Sequence, residues 1–245
     1  MSLLANLSTD ESIANEKDSV GSSGPVDSGL YTCTVAMAHI SKSAGGALGL
    51  VLTLKTEADK EVRQTLWMTS GTAKGGNNYY TDKQGAKQYL PGFIHANALC
   101  LLATGKDISA LETETKVINL YSPEAKAEVP TKVEALMDLI GQEIIVGLIK
   151  QVVDKTKKNE TTGAYEATGE TREENEIDKF FRAKDRMTTS EIRAQAEEAV
   201  FIETWDKKWS GKVKDRAKGA AAGLPGVPKL GGAPASKKPT TSLFG

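Results

Sequence analysis

The chain has 245 residues, with 31 Lys or Arg against 32 Asp or Glu, a formal net charge of −1, and two cysteines. No run approaches the ~18 apolar residues of a membrane span, and the first residues lack the basic stretch followed by an apolar run that marks a secretory signal. Cys33 and Cys100 lie in apolar surroundings without framework spacing, so they read as reduced core thiols in a cytoplasm-like compartment.

Residues 1–28 are rich in Ser, Gly, Asn and Asp, and residues 217–245 are almost entirely Ala, Gly, Pro, Lys, Ser and Thr. Ordering a backbone costs roughly 1–2 kcal/mol per residue, which such segments bury too little apolar surface to offset. A flexible N-terminal segment (1–28) and a disordered basic tail (217–245) are therefore expected around one folded span.

Within that span, "YTCTVAMAHI" and "ALGLVLTLK" alternate as strands. In the first, Tyr31, Cys33, Val35 and Met37 are expected to share one face. In the second, Leu48, Leu50, Leu52 and Leu54 make a core face. "SKSAGG" joins the two as a hairpin, with Gly45 and Gly46 available for positive φ. In a third strand, "VRQTLWMT", Val62, Gln64, Leu66 and Met68 point inward and Arg63, Thr65, Trp67 and Thr69 outward. A tryptophan among polar neighbours on the wet face of a sheet is unusual placement. Either the fold covers it or a ligand does.

"FIHANALCLLATG" then reads as a helix stopped by Gly105, "TKVINLY" as a strand and "TKVEALMDLIG" as a second short helix. "QEIIVGLIKQVVD" is a long β-branched strand, followed by a polar, lysine-led excursion and a returning strand, "EIDKFFRA". The fold class expected is mainly β with flanking helices. Three meandering strands, a helix and at least two more strands match the order of the five-stranded OB-type Greek-key barrel, here over 29–187; a sheet-on-sheet sandwich competes. At Thr188 a capping box with Glu191 opens a predicted C-terminal amphipathic helix (188–216), striped by Ile192, Ala196, Ala199, Ile202, Trp205 and Trp209. Such a stripe packs on its own core, or it serves self-association.

Catalysis has no positive support in this pattern, and a non-enzymatic protein without cofactor or metal is expected. "GTAKGGNN" puts Lys74 before the glycine pair and asparagines after it, which breaks the phosphate-cradle spacing. His39 and His95 are the only imidazoles, and no Cys or His pair has ligand spacing. No nucleophile elbow supports a Ser, His and Asp set.

Residues 55–92 instead interleave cations with aromatic rings. Lys55, Arg63, Lys74, Lys83 and Lys87 alternate with Trp67, Tyr79, Tyr80 and Tyr89, and Lys155 and Lys157 sit on the later excursion. Single strands of nucleic acid are held this way, with cations along the backbone and rings stacked on bases. Gly75 and Gly76 would let the backbone approach such a strand. A second reading, a phage structural or scaffold-like interaction protein, makes the tyrosine loop a protein contact. From Trp205 onward nine Lys or Arg face only Asp206 and Asp215, so this segment carries +7 and the rest −8. That asymmetry points to a polyanionic partner, to contact between tail and body, or to a solvated tail.

The phrases "RQTLWMTSGTAKGGNNYY", "YLPGF", "TKVINLYSPEAKAEVPTKVEAL", "TGETREENEIDKFFRA" and "EIRAQAEEAVFI" resemble the single-stranded DNA-binding proteins of podovirus-type (schitovirus-group) bacteriophages. The resemblance implies an OB-type fold, coating of single-stranded DNA during phage replication and recombination in the cytoplasm of the infected host, and docking of polymerases or recombination proteins. Many single-stranded DNA-binding proteins end in an acidic tail with a terminal aromatic residue. Here Phe244 follows Lys237 and Lys238 and the acids are missing, so a basic tail could contact phosphates or fold back on the acidic body.

Overall fold

The computed structural model describes residues 24–122, 124–159 and 165–218. Strand β1 (Gly29–Lys42) pairs antiparallel with β2 (Leu48–Thr56), which pairs with β3 (Glu61–Trp67). Leu50, Leu52 and Leu54 are fully buried, as their alternation predicts, whereas Leu48, at the first position of the strand, is exposed; the turn between β1 and β2 uses Gly46 at positive φ. β1 departs from its predicted phase. A bulge between Val35 and Met37 adds one residue, so Cys33 and Val35 enter the core before it and Ala38 after it. Met37 does not continue the face expected for it, because one extra residue reverses every later side chain.

A separate hairpin follows, β4 (Tyr79–Thr81) with β5 (Lys87–Tyr89), and then helix α1 (Pro91–Thr104). α1 starts on Pro91, ends where Gly105 turns left-handed, and buries Ala96, Leu99, Cys100 and Leu102 in the core. A second hairpin, β6 (Glu114–Ser122) with β7 (Ala127–Ala135), replaces the short helix expected from "TKVEALMDLIG". Val129, Thr131 and Val133 pair with β6 opposite Leu120, Ile118 and Lys116, and only Met137–Leu139 forms a 3-10 turn. Cross-strand pairing of β-branched residues overrides the helical spacing here.

β8 (Glu143–Lys158) and β9 (Tyr165–Arg182) form a long antiparallel ladder. The excursion expected between them is largely ladder too, with Lys157 opposite Glu166 and Lys155 bonded to Glu170 at 2.9 Å. β1 is the hinge of the sheet. One edge is taken by β2, and the other passes from β8 (paired at 29–34) to β7 (at His39 and Ile40). The resulting order is β9-β8-β1-β2-β3, with α1 between β3 and β8 in the chain. β3 and β9 come side by side at the two ends of this order, where the Gln64 side-chain carbonyl accepts the Ile177 N–H at 2.7 Å. Among the described residues no backbone ladder joins them, so the sheet stays open.

The region 188–216 is not one helix. It divides into α2 (Thr189–Arg193), α3 (Phe201–Trp209) and a short strand, β10 (Val213–Asp215), parallel to β8. The capping box is present, but Gln195 takes a positive φ and breaks the stripe. Glu191 also accepts from the N–H groups of Val200 and Phe201, so one carboxylate caps two helices. Burial alone would push Glu191 up, yet the N–H groups of Phe201, Thr188 and Val200 outweigh it and hold the acid below its ordinary range. Ile202 and Trp205 of α3 pack with Ile149 and Phe181 in a second, smaller core. Trp205 lies against Gly147, where an added Cβ would come within 2.6 Å of the indole, and its N–H donates to Asp178 at 2.7 Å.

Residues 24–28, expected to be flexible, are held in place. Asn175 bonds both the N–H and the carbonyl of Val26, and Ser28 is buried. The remaining expectations for the termini, including Lys229, Lys237, Lys238 and Phe244, lie outside the described residues. Trp205→Ala should cost about 3–5 kcal/mol of unfolding free energy in a urea melt, since it empties the smaller core and leaves Asp178 without its indole donor.

Candidate nucleic-acid interface

Trp67 closes β3 on its outer face, directly opposite Gly49 of β2. An added Cβ at Gly49 would sit 2.9 Å from the indole and 2.8 Å from Thr65, so glycine leaves the slot in which the ring rests. Gly92, in the first turn of α1, lies just as close to the Trp67 backbone: a Cβ there would come within 2.1 Å of its carbonyl oxygen. The ring is 44% exposed, so the fold supports it on one side without covering it.

The following loop is pinned to the β1–β2 turn. Leu48 accepts the N–H groups of Met68 and Thr69, and Gly45 accepts that of Thr72. Gly75 and Gly76 have φ of 87° and 63°, so their task is to reverse the chain after Lys74. The loop closes where Asn77 and Ser70 exchange hydrogen bonds. Asp82, the lone acid of the stretch, caps the β4–β5 turn by accepting from Gln84 and Ala86, both at 2.9 Å. Across that hairpin the Lys87 ammonium stands 4.5 Å from the centre of the Tyr79 ring.

These elements enclose a cleft of about 790 Å³ whose walls include Trp67, Lys74, Tyr79 and Tyr80 together with Thr65, Asn77, Pro91, Gly92, His95 and Glu176. Half of the Tyr80 side chain is open to solvent. The α1 N-terminus borders the cleft without a side-chain cap or a first-turn acid, so its partial positive charge is not cancelled locally. Glu176 is the only carboxylate in the lining.

The other predicted residues are dispersed around this cleft. Arg63 lines an adjoining groove of about 500 Å³ that shares Gln64, Thr65 and Glu176 with it. Lys83 is exposed at the hairpin tip, and Lys87 reaches the cleft only through Tyr79. Tyr89, the cross-strand partner of Tyr79, does not line the cleft; its ring packs 5.0 Å from Phe93. Lys55 is ion-paired with Asp59 at 2.7 Å. Lys155 and Lys157 lie on the β8–β9 arm and do not line the cleft. Asn77, His95 and Glu176 are the residues that sequence reasoning missed. Asn77 lies within the glycine loop, while His95 and Glu176 arrive from α1 and β9, where no local pattern marked them.

Among the described residues, no group of three His, Cys, Asp or Glu side chains is placed to hold a metal ion. Cys33 and Cys100 are free and buried, and burial pushes both thiols up to about 12. Burial also holds both imidazoles below their ordinary range, with Arg63 adding to the effect at His39.

His39 is almost fully enclosed on β1, and its Nδ1 has no partner among the described residues. A histidine whose folded pKa lies below its unfolded value contributes stability above the unfolded range near 6.5 and loses it as pH falls through the folded value. The melting temperature should therefore fall from pH 7.5 to pH 5, and a His39→Gln, His95→Gln variant should show a shallower fall over the same scan.

No protein-family model matches the chain, and no curated protein is similar to it in sequence.

Proposed function

We propose that this protein is a non-catalytic single-stranded DNA-binding protein that coats its substrate without sequence preference. One observation carries the reading: a single open cleft gathers Trp67, Tyr79 and Tyr80 with Lys74. Aromatic faces accept any base and cations follow the backbone, so the arrangement favours unpaired strands over a duplex, whose base faces are hidden. The strand order β9-β8-β1-β2-β3, with α1 between β3 and β8, supports an OB-type barrel that is incompletely closed between β3 and β9. The sequence resemblance supports a role in phage DNA replication and recombination, in the host cytoplasm, with polymerase or recombination proteins as partners and self-association along the strand. No helix among the described residues is long and apolar enough to cross a membrane.

The second reading, an interaction protein without nucleic-acid binding, draws on Val117 and Tyr121, which are exposed on β6 at the free edge of the β6–β7 hairpin. Tryptophan fluorescence separates the two. Trp67 is open while Trp205 is 3% exposed, so oligo-dT should quench Trp67, and a Trp67→Phe variant should lose most of that signal. Absence of quenching together with absence of binding by anisotropy would overturn the DNA reading.

Trp67→Ala should weaken oligo-dT binding by about 1–3 kcal/mol with little change in melting temperature, because the ring fills a surface slot and not the core. Each phosphate contact contributes about −0.7 to the slope of log affinity against log salt for single strands. Lys74→Ala should therefore reduce the slope by about 0.7. Lys55→Ala should leave it unchanged, since Asp59 already holds that ammonium away from the cleft.

A further inference from the structure

Glu176 stands where a phosphate chain leaving the cleft would have to pass, since it lines both the cleft and the groove beside it. The groove also carries Glu61 and Glu174, and Arg63 is the only cation that lines it among the described residues. Left as they are, these side chains would repel a polyanion.

Two cations from the C-terminal segment change that balance. Lys214 reaches one Glu176 oxygen at 3.0 Å and Arg216 the other at 2.9 Å. Both come from β10 and its next residue, which reach Glu176 from the opposite edge of β8. The strap is firmly seated. Ser28 donates to the Lys212 carbonyl, its own carbonyl accepts Gly211 N–H at 2.9 Å, and Arg216 N–H donates to Val152 at 2.9 Å. The Arg216 side chain is half exposed, so guanidinium donors remain on the solvent side of its pair.

We propose that β10 is a charge-compensating strap of the binding site. Lys214 and Arg216 neutralise Glu176, and a phosphodiester backbone passing from the cleft into the β3–β9 groove takes over part of the Arg216 hydrogen bonding. The inference rests on the single-stranded DNA reading and extends it: the body's acidic groove becomes permissive only through cations delivered from the C-terminal side. It differs from a simple basic patch because the cations act chiefly through a carboxylate.

That difference is measurable in the full-length chain with oligo-dT as the probe. A Lys214→Ala, Arg216→Ala variant should bind roughly tenfold more weakly at moderate salt, the scale of one uncompensated carboxylate close to a phosphate at the protein surface. Adding Glu176→Gln to it should restore most of the loss, because the uncompensated carboxylate is gone. Glu176→Gln alone, a near-isosteric change that keeps the strap residues, should steepen the salt slope by about 0.7 as Arg216 is released to phosphate. A loss from the double variant that is equally large in the Glu176→Gln background would overturn the proposal, as would no loss at all or an unchanged slope in Glu176→Gln. The last measurement stands even if the double variant fails to fold. Wild-type protein that ignores oligo-dT would remove the DNA reading itself, whereas wild-type binding with additive variants would remove only the strap.

Discussion

β1 has two edges and three large partners, and the rest of the structure is arranged around that constraint. β2 takes one edge from Cys33 to Lys42, while the other is shared in succession by β8 and β7. A strand can change partners only where its backbone groups are satisfied through the change. The bulge at Val35 and Met37 does this: Val35 N–H donates to the Gln142 carbonyl, and the Val35 carbonyl accepts from Gly141. β3 and β9 stand side by side at the two ends of the resulting strand order, and the cleft and its adjoining groove lie along that seam.

The cleft itself depends on close approach. Gly49 and Gly92 remove side chains from either side of Trp67, one below its ring and one against its backbone. A tryptophan at the end of an edge strand would otherwise either swing into solvent or displace α1. Held in this slot it keeps a fixed, half-open face, which lowers the entropy lost when a flat partner stacks on it. Tyr79 is fixed in a different way, by an ammonium over its ring and by a hairpin whose turn Asp82 caps. Both rings are therefore positioned before any ligand arrives.

Electrostatics at the surface is a matter of local pairing more than of net charge. Lys55 and Lys155 are cations in the sequence but are committed to Asp59 and Glu170. Exposed pairs of this kind add little stability, yet they remove a charge from any wider field that a ligand would feel. Glu176 shows the reverse case, an acid in the cleft wall whose charge is answered from a remote segment. The contrast between an acidic body and a basic C-terminal region thus has a structural outlet within the described residues.

Local pattern determined much of this protein. Leu50, Leu52 and Leu54 of β2, the outward Trp67, the span of α1 and the Thr188–Glu191 capping box were all readable, because each depends on side-chain period or on contacts within a few residues. So was the interleaving of aromatic and basic residues that supplies the cleft's aromatic rings and its lysine. Tertiary structure decided what has no local cause. The bulge reversed the face of Met37, pairing with β6 turned a helical-looking segment into β7, and a left-handed Gln195 divided the final helix. It also sorted the cations and rings, keeping Lys74 in the cleft while Lys55 and Lys155 pair elsewhere and Tyr89 packs on Phe93, and it brought His95, Glu176, Lys214 and Arg216 into or beside the site. Periodicity reports which face a residue occupies, but which remote strands share an edge is set by backbone pairing across long stretches of chain. No single stretch of sequence carries that information.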